Sequence, residues 1–179
     1  MAEPIFARLC IIGLGLIGSS LARVVRARGD IAGTLVAHDS APETLARVRE
    51  LGLADVVEAD AARAVDGADG VVLCVPVGAF AGVMGAIAPH LAPGAVLTDT
   101  GSTKGSVVRD LVPLLPAGIH LVPGHPMAGT EFSGPDAGFA ELFHGRYVIL
   151  TPLPDTDPAA LERIVELWRR CGSMIETLD

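Results

Sequence analysis

One stretch near the start constrains the fold more than any other part of the chain. Residues 11–20 read IIGLGLIGSS, and Gly13, Gly15 and Gly18 follow the spacing GxGxxG. Just before it, residues 8–12 form a short apolar run with the character of a strand. Just after it, residues 17–28 show helical spacing, with Leu21, Val24 and Val25 on one side and Arg23, Arg26 and Arg28 on the other. A strand that turns into a helix over three glycines meets specific physical demands. Gly13 permits the tight turn, Gly15 lets a pyrophosphate approach the backbone, and Gly18 lets the helix lie close to the sheet. The first N–H groups of the helix and the positive end of its dipole then favour phosphate, with Leu16 and Ile17 beside it. In a chain with 21 glycines the triplet alone is weak. Its place between a strand and an amphipathic helix gives it weight.

The rest of the chain repeats that alternation. Further strands are expected at 34–38, 56–58, 70–75, 95–98, 120–122, 147–150 and 174–176. Helices are expected at 42–51, 61–65, 78–91, 103–111 and 157–171. Between 123 and 145 the sequence is rich in Gly, Pro and Phe without a period, so an ordered loop region is expected there. Strand-helix alternation at this spacing predicts an α/β fold of the Rossmann type, a doubly wound, mostly parallel sheet with helices on both faces. No repeat, low-complexity stretch or linker interrupts it, and 179 residues suit one domain over 1–179.

An acid follows the glycine loop at the spacing a dinucleotide site requires. Asp39 lies 21 residues after Gly18, at the end of the second expected strand. A carboxylate there accepts hydrogen bonds from ribose hydroxyls and repels a 2′-phosphate. Ser40, Ala41 and Pro42 supply no arginine to hold such a phosphate, so the reading is NAD rather than NADP. Val75 and Pro76 end the fourth strand, at the sheet edge that faces a bound cofactor. FAD proteins share the opening but add motifs over a longer chain.

Charge and hydropathy narrow the partners. A net charge of −8 with no Lys/Arg block argues against a nucleic-acid surface. The mean hydropathy of +0.50 leaves room for apolar surface that meets a partner. Residues 9–17 are apolar, but glycines interrupt them and they are too short to span a bilayer, so no membrane association is expected. Cys10, Cys74 and Cys171 have neither a pairing pattern nor metal spacing. They read as buried small hydrophobes in a reducing cytoplasm, with no metal site.

Two later segments sit at the carboxyl ends of strands: TDTGSTKG at 98–105 and GHPMAGTEFSG at 124–134. Ser102 offers a hydroxyl, Lys104 a positive charge and His125 a base that titrates near neutrality. If they converge, hydride can go to the cofactor and a proton to the histidine. Blander readings stand beside this one. Ser102 or Thr103 can cap a helix, His125 can be a turn histidine, and Thr130 and Glu131 can be a local cap. His38, His90, His120 and His144 show no partner in the sequence and read as surface or structural residues.

At these residues the chain resembles the prephenate/arogenate (cyclohexadienyl) dehydrogenase family. The resemblance runs through GLGLIGSSLA at 13–22, Asp39, CVPV at 74–77, DTGSTKG at 99–105 and HPMAGTEFSGPDAGF at 125–139. It implies NAD-dependent oxidative decarboxylation of prephenate or arogenate in tyrosine biosynthesis. His125 would take the proton of the ring hydroxyl, and Ser102 would hydrogen-bond both that histidine and the substrate. Lys104 and the Thr130–Glu131 pair would face the substrate. The family normally continues into a helical domain that forms a homodimer and contributes a substrate-gripping arginine. This chain stops about where that domain is expected, so the resemblance implies a cofactor-binding part with weak turnover alone. Two alternatives remain at this point: another dehydrogenase of the hydroxyacid or 6-phosphogluconate type, or a non-catalytic NAD-binding module.

Overall fold

The computed structural model describes residues 3–178. Strand β1 (Phe6–Ile12) runs into α1 (Leu16–Arg28), followed by β2 (Ala32–His38), α2 (Pro42–Glu50), β3 (Val56–Glu58) and α3 (Ala61–Val65). Then come β4 (Gly70–Leu73), α4 (Phe80–Ile87), β5 (Val96–Asp99), α5 (Lys104–Leu111) and β6 (His120–Val122). The six strands make one parallel sheet in the order β3-β2-β1-β4-β5-β6. The order reverses beside β1, which opens a crevice between the carboxyl ends of β1 and β4 where such sheets bind ligands.

Side-chain alternation along each strand builds two cores. Leu9 and Ile11 of β1 join Leu21 and Val25 of α1 and Val48 of α2 on one face. Cys10 and Ile12 join Val65 of α3, Phe80 and Met84 of α4 and Val107 of α5 on the other. A strand covered on both faces must be apolar at every position, which is why residues 70–75 read as an unbroken hydrophobic run.

The chain departs from simple alternation after β6. Strands β7 (Gly124–Pro126), β8 (Tyr147–Leu150) and β9 (Met174–Thr177) form a second, three-stranded sheet. β7 pairs with β8 antiparallel, and β8 with β9 parallel. Two expectations are corrected here: the last strands do not extend the main sheet, and 123–145 is not all loop. A three-residue strand made of Gly, His and Pro offers no apolar alternation, and its partner begins 21 residues later. The two sheets nonetheless share a core. α6 (Pro158–Arg170) inserts Ile164, Val165 and Trp168 beside Val148 and Leu150 of β8. Trp168 meets Phe143 edge-on, with ring centroids 5.2 Å apart.

Smaller differences have local causes. The helix expected over 78–91 is α-helical only in α4, with 3₁₀ turns at Val77–Ala79 and Ala88–His90. Pro89 has no N–H to donate back along the helix, so the last turn tightens. α6 begins as its sequence suggests: the Asp157 side chain accepts the N–H of Ala160, and Pro158 sits in the first turn. Among the described residues, no helix is long and apolar enough to cross a membrane.

Candidate functional site

The glycine loop is tight where the sequence demands glycine and open where it permits a ligand. Gly13 has φ +93°, and a Cβ there would lie 2.6 Å from the Cys74 carbonyl oxygen. A Cβ on Gly18 would lie 1.9 Å from the carbonyl oxygen of Gly13, so only glycine lets α1 start so close to the turn. A Cβ on Gly15 would meet nothing within 4 Å. Gly15 is also the N-cap of α1 and supplies no side-chain cap, so the first N–H groups of the helix have no side-chain partner there. The free backbone donors and the helix dipole together suit a phosphate.

Asp39 ties this loop to the end of β2. Its Oδ2 accepts the N–H of Leu14 at 2.8 Å and its Oδ1 that of Ala41 at 2.9 Å. The N-cap of α2 is Ala41, which makes no side-chain cap. Each Asp39 oxygen keeps a second lone pair for a sugar hydroxyl. His38, without an evident partner in the sequence, is buried, and its Nδ1 lies 2.9 Å from the Glu58 carbonyl oxygen. A cavity of about 540 Å³ runs beside Gly13, Gly15, Asp39, Val75 and Pro76.

A second cavity of about 460 Å³ shares Gly15, Cys74, Val75 and Pro76 with the first. Leu16, Ile17, Ser102 and His125 are among the other residues of its wall. Thus the glycine loop, the turn after β5 and the strand β7 meet at one place, although Ser102 and His125 stand 23 residues apart in sequence. Burial pushes the Cys74 thiol up to about 12, so this residue is an inert wall rather than a nucleophile. Ser102 is exposed to the cavity, and the helix cap position is Thr103, with no side-chain cap bond. The capping alternative for this pair is not realised.

His125 sits on β7 opposite Ile149 of β8 and is partly buried. Burial first, then the positive charge of Lys104, lowers its pKa below the ordinary 6.5, while Asp99 opposes them. The imidazole is therefore neutral near pH 7 and able to take a proton.

The other candidates stand elsewhere. Lys104 lines neither cavity; its Nζ pairs with buried Asp99 and donates to the carbonyl of Gly124. Thr130 and Glu131 are exposed beyond the pocket, where Thr130 Oγ1 accepts the N–H of Phe132 at 3.2 Å. Asp99, which bonds the backbone on both sides of the site, is the residue that sequence reasoning missed. It lies inside the DTGSTKG motif, and the one signal is an acid at the end of a short, buried-looking strand.

Comparison with known proteins identifies the family. The family model for the prephenate dehydrogenase nucleotide-binding domain matches residues 21–177. Cyclohexadienyl dehydrogenase of Zymomonas mobilis is 46% identical over 176 residues, 98% of this chain and 59% of that protein. Prephenate dehydrogenase of Bacillus subtilis is 31% identical over 162 residues, 90% of this chain and 43% of that protein. Prephenate dehydrogenase of Aquifex aeolicus, solved with hydroxyphenyl propionate and NAD+, superposes with a TM-score of 0.89 at 32% identity, covering 100% of this chain and 61% of that one. A Mycobacterium tuberculosis 3-hydroxyisobutyrate dehydrogenase, at 14% identity and TM-score 0.75, shares the fold alone. The chain thus spans between 43% and 61% of the length of these relatives. On the match of the family model to most of its residues, the chain belongs to the prephenate dehydrogenase family as a nucleotide-binding domain.

Proposed function

We propose that this chain binds NAD along the glycine loop and supplies Ser102 and His125 to the oxidative decarboxylation of prephenate and/or arogenate. One observation carries the reading: the cavity beside Gly13, Gly15 and Asp39 shares a wall with the cavity that holds Ser102 and His125. The residues fit the cofactor. Gly15 leaves open space above the loop, the start of α1 is uncapped, and Asp39 has lone pairs left for ribose hydroxyls. The Aquifex aeolicus relative was solved with NAD+, which supports the same choice.

Bound there, NAD supplies the hydride acceptor. His125, neutral near pH 7, takes the proton of the ring hydroxyl as the C4 hydride leaves. Ser102 orients that hydroxyl and the imidazole from the same cavity wall. Carbon dioxide departs, the electron pair it leaves makes the ring aromatic, and the proton held by His125 returns to the ring oxygen, giving 4-hydroxyphenylpyruvate from prephenate or tyrosine from arogenate. Thr130 and Glu131 keep only a peripheral place, on the exposed segment that leaves the pocket. The core shared by the two sheets supports treating 1–179 as one domain. The homodimer contact and the rest of the substrate grip are assigned to the helical region that the family resemblance implies. Free cysteines at 10, 74 and 171 fit a cytoplasmic protein.

The test is His125→Asn in the intact gene product. Turnover should fall by roughly two to four orders of magnitude, the range of general acid–base contributions, with NAD affinity nearly unchanged. Surviving turnover would place the base elsewhere, and a chain that shows no NAD binding by calorimetry would sink the reading.

A further inference from the structure

Asp99 closes β5 with no solvent exposure, a costly place for a carboxylate unless it is fully partnered. Both of its oxygens are partnered, and the partners all lead to the candidate site. Oδ2 accepts the N–H of Gly101 at 2.7 Å, just before Ser102, and Oδ1 accepts the N–H of Gly124 at 3.2 Å, just before His125. Lys104 Nζ pairs with Oδ2 and donates to the carbonyl oxygen of Gly124 as well. Gly124 is therefore held on both sides, its amide by Asp99 and its carbonyl by Lys104. Space is short around this knot. A Cβ on Gly101 would lie 3.0 Å from Asp99 Oδ2, and one on Gly124 would lie 3.0 Å from the Asp99 carbonyl oxygen. The Lys104 side chain is only 17% exposed and lines neither cavity.

We propose that Asp99 and Lys104 are positioning residues that hold Gly124, and through it the His125 ring, in register with Ser102 for the reaction assigned above. The pair joins the end of the main sheet to the first strand of the small one, and it rests on that functional reading only for its consequence in turnover. Burial pushes the Asp99 carboxyl up and the Lys104 ammonium down, yet the direct contact and two backbone N–H donors favour the charged pair. A substrate carboxylate seeking Lys104 would have to draw the ammonium away from Asp99. The structure therefore assigns Lys104 to the protein's interior rather than to the substrate.

Three variants of the intact gene product test the pair: Lys104→Met, Asp99→Asn and the double variant. The double variant removes both charges together and leaves no buried ion unpaired, so it keeps the test open if a single variant fails to fold. In each folded variant kcat should fall about ten- to hundredfold, as expected of a misplaced catalytic group, while KM and NAD affinity move less than about threefold. A KM raised tenfold at unchanged kcat in Lys104→Met would make Lys104 a substrate contact and overturn the proposal. Wild-type kcat in the double variant would overturn it too. A second readout does not depend on turnover. The imidazole NMR resonances of His125 in the NAD-bound protein should shift in the double variant, and the amide exchange of Gly124 and His125 should accelerate. Unchanged resonances and exchange would overturn the pair's role. If the wild-type protein turns over neither prephenate nor arogenate, the functional reading fails, and the NMR comparison still decides the pair.

Discussion

The two cavities that meet at Gly15 are built by different means. On the nucleotide side the contacts come from main chain: glycines pressed against carbonyl oxygens, an uncapped helix start, and one carboxylate spent on two backbone N–H groups. On the histidine side they come from side chains, and these rest on a buried ion pair that links two separate sheets. The first arrangement centres on one strand-helix turn, to which the end of β2 adds Asp39 and the segment after β4 adds the Cys74 carbonyl. The second needs β5, α5, β7 and β8 in place together. The turn at the heart of the nucleotide side is specified locally, whereas the histidine side is assembled entirely from separate elements.

Substituting one glycine on each side is the strongest way to break that contrast. In Gly18→Ala the added carbon would lie 1.9 Å from a backbone oxygen, which cannot move without opening the turn. NAD affinity should fall about a hundredfold, the upper end of ordinary overpacking. Calorimetry that finds it nearly unchanged would show that the turn does not hold the cofactor. In Gly124→Ala the added carbon would lie 3.0 Å from the Asp99 carbonyl and 3.3 Å from Leu150 Cδ2, a milder clash that neighbours can partly absorb. Turnover should fall about tenfold with NAD affinity kept. Equal losses of both in Gly124→Ala would mean that the two sides are not separable.

A finer cut is available at Asp39. Asp39→Ala removes the acceptor for the Leu14 and Ala41 amides as well as any ribose contact. NAD should bind roughly tenfold more weakly, in line with the loss of a charged hydrogen bond, and NADP should be discriminated against less. An unchanged ratio of NAD to NADP affinity would refute the role given to this carboxylate.

The smallest effect expected is in pH dependence. Burial and Lys104 together depress the His125 pKa below 6.5, so the neutral base persists into mildly acid solution. The acid limb of kcat/KM should accordingly have its midpoint below 6.5. Stability follows the same sign: the unfolded chain binds the proton first, so this contribution is present above 6.5 and is lost as pH falls through the lower folded value. A midpoint at or above that ordinary value would show an imidazole less buried than the structure has it.

Much of the main sheet was legible because its signals are local. Gly13, Gly15, Gly18 and the apolar runs at 8–12 and 70–75 specify strand, turn and helix from their own spacing, and Asp39 could be counted from the loop. Ser102 and His125 were legible as residues through their motifs, although nothing in their spacing shows that they share a cavity. The small sheet was legible only in part: β8 and β9 match strands expected at 147–150 and 174–176, whereas β7 and the pairing that makes a separate sheet left no local signal. β7 is three residues of Gly, His and Pro, and its strand character exists only as pairing with β8.

Residue by residue, the amino-acid order determined the Rossmann-type alternation and the turn where a dinucleotide's phosphates can meet free backbone donors, because steric and helical preferences act over a few positions. Tertiary structure alone decided that Lys104 turns inward to Asp99, and that Thr130 and Glu131 stay outside the pocket. It also decided that His125 and Ser102 line one cavity. A buried charge must find its partner among whatever the fold brings near, and those partners lie up to 25 residues away along the chain.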